Sequence, residues 1–297
     1  MQLKPRLALA LALALAAPAL STGCRGPERQ DPPPAAAYEL MRIGEQYLAQ
    51  GRALDAVEQM RKAETVAPNS FTVKMALGRA QFAASYLDAA IATYNKAAEL
   101  DPKSPEPWNE EGRIYLTKGL YPEAEEYFDK AIKKDDRYVN AYFNKGVLYY
   151  DYMKRAEEAR KMFEKALSLR SDLPDAQVNL GRIDADNGYW DNARAHFEAA
   201  LQLKPDHALA LANLGYTYLA QKRYERAIDV LKRATGREPR AGWAWLQLGY
   251  AYRAIGRRES ARECFKKVLA LDPQNQEAKD QLRDIEQERP PESPTGK

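Results

Sequence analysis

Seven glycines, Gly44, Gly78, Gly112, Gly146, Gly181, Gly215 and Gly249, stand 34 residues apart, with one step of 35. Against a background of about 7% glycine, such a register arises by chance on the order of once in 10⁸. An alanine follows twelve residues later at Ala56, Ala90, Ala124, Ala193, Ala227 and Ala261. In the fourth copy it is Ala159, so the extra residue of the long step lies between Gly146 and Ala159. A second alanine row, seven further on, runs Ala63, Ala97, Ala131, Ala166, Ala200 and Ala234, and gives way to Val268 in the last copy. A fixed period of this size makes a chain a stack of supersecondary units, each burying its apolar face on its neighbours. The 297 residues therefore count units and not separate globular domains.

Within a unit the small residues mark where two helices cross closely, and large residues fill the space between. Counted from Ala37, position 24 carries Met60, Tyr94, Phe128, Phe163, Phe197, Leu231 and Phe265. Position 11 is tyrosine at Tyr47, Tyr115, Tyr149, Tyr218 and Tyr252. Units close on Pro68, Pro102, Pro205, Pro239 or Pro273, because proline has no N–H to give and clashes with the preceding turn. The middle is irregular: Asp136 and Ser171 replace the prolines, and Glu111 and Lys145 replace the apolar residue before glycine. A charge in that row costs packing unless its end reaches solvent or a partner. Glu111 and Lys145, at equivalent places in adjacent copies, are placed to pair. The stretch reads either as drift at a surface-reaching position or as a deformable hinge.

This order of apolar residue, Leu-Gly, Tyr, Ala, Phe, Ala and Pro on a 34-residue period resembles the tetratricopeptide repeat. The resemblance implies an all-α fold, a right-handed α-solenoid of seven helix-turn-helix repeats whose A helices line a concave groove that grips a peptide or protein. The repeats are placed at 37–70, 71–104, 105–138, 139–173, 174–207, 208–241 and 242–275. Residues 276–288, with Ala278, Leu282 and Ile285 apolar among charges, read as a capping helix, and 289–297 as a disordered tail. Repeats and cap leave no stretch long enough for a separate catalytic domain.

Patterns of catalytic or cofactor chemistry are missing. His196 and His207 are eleven residues apart, one inside a B helix and one at a repeat junction. Metal ligation would want i, i+4 spacing or a cysteine partner, so both read as ordinary surface histidines. Ser-His-Asp and glycine-rich phosphate motifs are absent, and carboxylates such as Glu123, Glu125 and Glu126 fall on charge-mixed helical faces. Net charge is +3, with acids and bases read as intermixed along every segment. A nucleic-acid binder would gather basic charge on one face. No cofactor, metal, nucleic acid or small-molecule substrate is expected.

On a helical wheel at about 100° per residue, positions 4, 7, 8 and 11 of helix A cluster together, and positions 2, 5, 9 and 12 cluster roughly 130° away. The resemblance puts the second cluster in the groove. It supplies Tyr38, Met41, Glu45, Thr72, Met75, Arg79, Phe82, Glu106, Asn109 and Arg113 early in the chain, then Phe143, Tyr150, Arg182, Leu209, Tyr216, Leu219, Trp243, Leu246, Tyr250 and Arg253. Aromatics with arginine make binding hot spots, so the C-terminal half is expected to carry the main contact. Position 6 holds Asn144, Asn179 and Asn213 in succession, then Gln247. Carboxamides offer donor and acceptor together and can clamp an extended backbone. The row is similar to the asparagine ladder in the repeat domain of O-linked N-acetylglucosamine transferase, and it equally fits the frequency of Asn at this position in the family. The Lys-Asn carboxylate clamp of chaperone-binding members is not matched, because Met41 stands at its lysine position.

The first 23 residues are of another kind. Lys4 and Arg6 precede a Leu and Ala run from Leu7 to Ala17, continuing to Leu20. About 14 residues at ~1.5 Å each reach ~21 Å, short of a ~30 Å hydrocarbon core, so a signal peptide is the reading. Ser21-Thr22-Gly23-Cys24 resembles the lipobox of bacterial lipoproteins, with Ser21 where that family has Leu. The resemblance implies cleavage before Cys24 and its acylation with palmitate-type chains. Cleavage after Ala17-Pro18-Ala19 would instead release a soluble periplasmic protein. Residues 24–36, with Pro27, Pro32, Pro33 and Pro34, read as an extended tether of up to ~40 Å at ~3.1 Å per residue. In lipoproteins of enteric-type bacteria an Asp after the cysteine signals inner-membrane retention; Arg25 stands there in this chain, so the resemblance favours the outer membrane, facing the periplasm. The expected function is a non-catalytic, membrane-tethered protein-binding scaffold of the bacterial envelope. Lipoproteins that pilot type IV pilus secretins are similar in architecture; a regulatory cofactor of a peptidoglycan enzyme and a self-associating structural protein are the other readings.

Overall fold

The structure is a computed structural model that describes residues 33–287. The signal sequence, Cys24, most of the proline-rich stretch and residues 289–297 lie outside the described residues. One compact unit, ending at Ser171, holds four helix pairs. These are α1 (Ala35–Ala49) with α2 (Ala53–Val66), α3 (Phe71–Ala83) with α4 (Leu87–Leu100), α5 (Glu106–Thr117) with α6 (Tyr121–Lys134), and α7 (Val139–Val147) with α8 (Ala156–Leu169). A second unit, from Asp172, holds α9 (Pro174–Asp186) with α10 (Trp190–Leu203), α11 (Ala208–Ala220) with α12 (Tyr224–Arg237), and α13 (Gly242–Ala254) with α14 (Arg258–Leu271), closed by α15 (Gln276–Gln287). Among the described residues there is no strand, and the fold is an α-solenoid of seven helix pairs and an end helix. Helix α1 takes up Ala35 and Ala36, which composition had counted with the extended tether. Pro34, at φ −49° and ψ 147°, is the last extended residue, and the alanines after it are the strongest helix formers.

The glycine row is the contact row of each pair. A Cβ on Gly181 would come within 2.6 Å of the Phe197 ring, and one on Gly112 or Gly146 within 2.7 Å of Phe128 or Phe163. Position 8 is glycine because the side chain at position 24 of the second helix fills that space. Both alanine rows are fully buried beside it. The extra residue of the fourth copy is absorbed without breaking this register: Leu148–Tyr152 continues α7 as a π-helical turn, the usual form of a one-residue insertion in a helix. Leu148 and Tyr149 stay buried.

A second 34-residue row sets the turn between paired helices. Gly51, Ser85, Gly119, Lys154, Gly188, Lys222 and Gly256 all have φ between 57° and 78°. In the first copy Gly51 N–H bonds Leu48 O at 3.0 Å and Arg52 N–H bonds Tyr47 O at 2.8 Å, closing α1 with a left-handed cap. The same cap recurs in every copy but the fourth, where the π-helical turn stretches the closing bond to Arg155 N–H and Tyr149 O at 2.8 Å, and it aims each second helix back along the first.

Glu111 and Lys145 do not pair. Lys145 is buried too, but its stem carries the ammonium to the exposed Asp129, Oδ1 at 2.5 Å, with Glu125 Oε1 4.0 Å away. Glu111 is no surface-reaching position either: it is 0% exposed, and neither carboxylate oxygen has a hydrogen-bond partner among the described residues. A short side chain in the glycine-flanking row, beneath α6, cannot reach a charged partner at the surface as lysine can.

Tyr94 repeats the point in milder form. It is fully buried on α4 with its hydroxyl unpartnered, and burial pushes that hydroxyl well above its ordinary pKa. Phenylalanine occupies the same position in four other copies. Tyr94→Phe is expected to raise stability by about 1–2 kcal/mol, the cost of an unmet buried polar group. Urea denaturation checks this, and a lower midpoint in the variant would reveal a partner for the hydroxyl.

Candidate functional site

In the unit ending at Ser171, side chains along the A-helix face hold one another. Arg79 donates to Glu45 at 2.9 Å, linking residues 34 apart. Arg113 pairs with Glu110 at 2.6 Å and lies over the Phe82 ring, 5.4 Å from its centroid. Asn144 donates its amide N–H to Asn109 Oδ1 at 2.9 Å. Phe143 is turned onto Phe163, with ring centroids 5.7 Å apart, and Tyr150 is buried within the π-helical turn.

The unit from Asp172 presents the richer face. Arg182 donates to Asn179 Oδ1 at 2.8 Å, and Asn213 donates to the Leu209 carbonyl of its own helix at 2.9 Å. Both carboxamides are buried, and each has further donor or acceptor capacity beyond that bond. Gln247 is half-buried. Tyr216 meets Trp190 edge-on at 5.8 Å, a packing on α10 that position analysis of helix A alone could not find. Leu209, Leu219 and Trp243 are half-buried, resting on the core beneath.

Tyr250 and Arg253 are engaged by α15. The Tyr250 hydroxyl donates to Glu277, and Arg253 reaches Gln281 and Asp284. Burial, then the bond to Glu277, pushes the tyrosine hydroxyl up. Counting on in 34-residue steps puts Glu277 and Asp284 at positions 2 and 9 of an eighth unit. The end helix therefore uses the positions that the A-helix face uses elsewhere.

The two histidines are not ordinary surface residues. His207 is 8% exposed, with Nε2 2.9 Å from Asp175, and the bond to His207 holds the Asp175 carboxyl below its usual range. His196 is half-buried, with Nδ1 2.7 Å from Gln177 and Nε2 3.5 Å from the buried Asp184. Each joins its helix or junction to α9, where a preceding helix covers what would otherwise be surface. Cys264 is buried, and burial pushes its thiol up to about 12, away from thiolate chemistry. Among the described residues no three His, Cys, Asp or Glu side chains converge on a metal position, and no helix is long and apolar enough to cross a membrane. Charge is not evenly mixed: residues 221–267 carry thirteen Lys and Arg against five Asp and Glu, an excess that the near-neutral total conceals.

Three family models, each described as a tetratricopeptide repeat, match residues 41–105 with 109–176, 172–237 and 218–284. The chain belongs to the tetratricopeptide repeat family. No curated protein matches it. Tetratricopeptide structures of similar fold include the APC/C hetero-tetramer Cut9-Hcn1, at TM-score 0.67 and 18% identity over 84% of this chain and 53% of that one. The chain thus spans about half the length of that relative. PilF of Pseudomonas aeruginosa aligns at TM-score 0.66 and 19% identity, over 72% of this chain and 97% of its own. PilW, a type IV pilus biogenesis factor, aligns at 0.63 and 22%, over 71% and 98%. At these identities the likeness is one of fold. Tetratricopeptide repeat domains bind proteins or peptides, and the family is one of interaction scaffolds.

Proposed function

We propose that this tetratricopeptide repeat chain is a non-catalytic scaffold of the bacterial envelope, tethered at Cys24 and facing the periplasm from the outer membrane. It holds an extended protein segment against the A-helix face of repeats five to seven. The observation that carries this reading is the run of half-buried Leu209, Tyr216, Leu219 and Trp243 on consecutive A helices, with the half-buried Arg182 at the same repeat position as Tyr216 on the preceding A helix. Large apolar side chains left partly in water next to an arginine are what a partner covers when it binds. Asn179 and Asn213 supply backbone-directed polarity in the same wall. The lipobox-like Ser21 to Cys24 and the following Arg25 support the tether and its membrane. A second reading, an assembly factor for a type IV pilus secretin, is favoured by the near-complete coverage of PilF and PilW, 97% and 98% of their chains.

A photo-crosslinker at Tyr216 or Trp243 in the native organism, with mass spectrometry of the captured product, tests the face. Capture of one protein there and none at the exposed Glu164 on α8 is the expected result. Capture at Glu164 alone overturns it. A secretin among the products selects the pilus reading. Cys24→Ala is expected to abolish palmitate labelling and the retention of the processed chain in membranes washed with high salt.

A further inference from the structure

In the unit from Asp172, the turns between paired helices are neighbours along one edge. Gly188 to Asn192 of one turn, with Gln221 and Arg223 of the next, line a single open concavity, and Gln221 donates to Asp191 at 3.1 Å. Tyr189 is 60% exposed there, beside the half-buried Trp190. The following turn is Lys222-Arg223, with Arg226 in the first turn of α12, and the last is Gly256-Arg257. Lys222, Arg223, Arg226 and Arg257 are exposed and enter no salt bridge among the described residues. Of the acids nearby, Asp191 is paired with Arg194 at 3.1 Å and Glu259 with Arg262 at 2.7 Å, leaving Glu225 and Asp229 against these four cations. The excess continues onto the exposed Lys232 and Lys267 of α12 and α14.

Uncompensated cations within a Debye length of about 8–10 Å act together on an anionic surface, and tyrosine and tryptophan rings settle at the level of lipid headgroups. The turns are the outermost points of each helical hairpin, so a planar surface can meet three in succession. The concavity between the first two turns is open and short, and the cations lie mainly beyond it on the second and third turns. We propose that the edge from Tyr189 to Arg257 is a docking surface for an anionic phospholipid bilayer, one that acts whether or not Cys24 carries a lipid.

The test uses the processed chain, residues 24–297 with Cys24→Ala, in co-sedimentation with vesicles of phosphatidylglycerol and phosphatidylcholine or of phosphatidylcholine alone. Binding at least tenfold tighter to the anionic vesicles, weakening as salt rises, is expected. Lys222→Gln with Arg223→Gln, Arg226→Gln and Arg257→Gln should lose tenfold or more at an unchanged melting temperature. Arg61→Gln with Lys62→Gln, Lys133→Gln and Lys134→Gln, removing as many exposed cations elsewhere, should lose less than twofold. Equal binding to both vesicles, no loss in the first variant or an equal loss in the second overturns the proposal. So does tighter binding to polyglutamate or single-stranded DNA than to vesicles at equal charge concentration.

Discussion

Glu111→Leu is expected to stabilise the protein by about 3 kcal/mol more at pH 8 than at pH 4.5. Burial pushes the Glu111 carboxyl up to about 7 from an ordinary 4.5, and the approach of Lys130 and Tyr127 offsets that only in part. Its surroundings explain why. Trp108 and Tyr127 have ring centroids 6.0 Å apart, Tyr115 and Tyr127 4.7 Å, and the Lys130 ammonium is spent over the Tyr127 ring at 4.1 Å. Below pH 4.5 both folded and unfolded chains hold the proton, and ionisation costs nothing. Between 4.5 and 7 the folded chain keeps a proton that the unfolded chain gives up, so stability falls by about 1.4 kcal/mol per pH unit as pH rises. Above 7 the full cost, roughly 3 kcal/mol, is present. Leucine removes it, and Leu77, Leu180, Leu214 and Leu248 already fill the equivalent place in four copies, all buried. At pH 4.5 the variant keeps a smaller gain of about 1–3 kcal/mol from deleting an unmet polar group. Asp175, whose carboxyl is held low, titrates in the opposite sense at acid pH, so the quantity to measure is the difference between variant and parent in urea across pH. A gain independent of pH sinks the ionisation account; no gain at any pH sinks the account of an orphaned carboxylate.

The same residue marks where sequence reasoning ran out. A helical wheel puts position 7 in the buried row but does not say whether the end of a charged side chain escapes. Lys145 escapes to Asp129 and Glu111 does not, a difference of stem length against the depth of α6. Contacts within one unit were legible, since a glycine and the ring filling its space are separated by a constant interval of helix-turn-helix. The left-handed turn row was half legible: Gly51, Gly119, Gly188 and Gly256 keep the period, while Ser85, Lys154 and Lys222 hide it. Contacts between units of the stack were the least legible. Tyr250 and Arg253 meet α15, a helix whose polar face looked like solvent, and even within the fifth unit the bond from His207 back to Asp175, 32 residues away, follows no constant interval of the repeat. For the candidate site, the wheel could name the A-helix face, but Trp190 entered it from a second helix.

Gly181→Val should cost about 3 kcal/mol or more, with the loss concentrated in one contact. Even a Cβ at this position would lie 2.6 Å from Cε1 of Phe197, and that ring is fully buried with no exposed end to swing away. Overpacking of this kind costs about 1–3 kcal/mol, and a branched residue in the helix interior adds rotamer strain. Phe197→Ala alone should cost about 3–5 kcal/mol through the cavity it leaves. Made together, the two changes should cost less than their sum by about 1–3 kcal/mol, because valine then occupies space that the ring vacated. Gly236 supplies the internal control. It is an exposed residue of α12 with nothing within 4 Å of its Cβ position, so Gly236→Ala should stabilise by about 0.5–1 kcal/mol through helix propensity. Chemical denaturation of the four variants separates the two roles of glycine in one helical fold. Strict additivity of Gly181→Val and Phe197→Ala would show that the ring is not what excludes a side chain from position 8, and the physical basis offered for the 34-residue glycine register would fall with it.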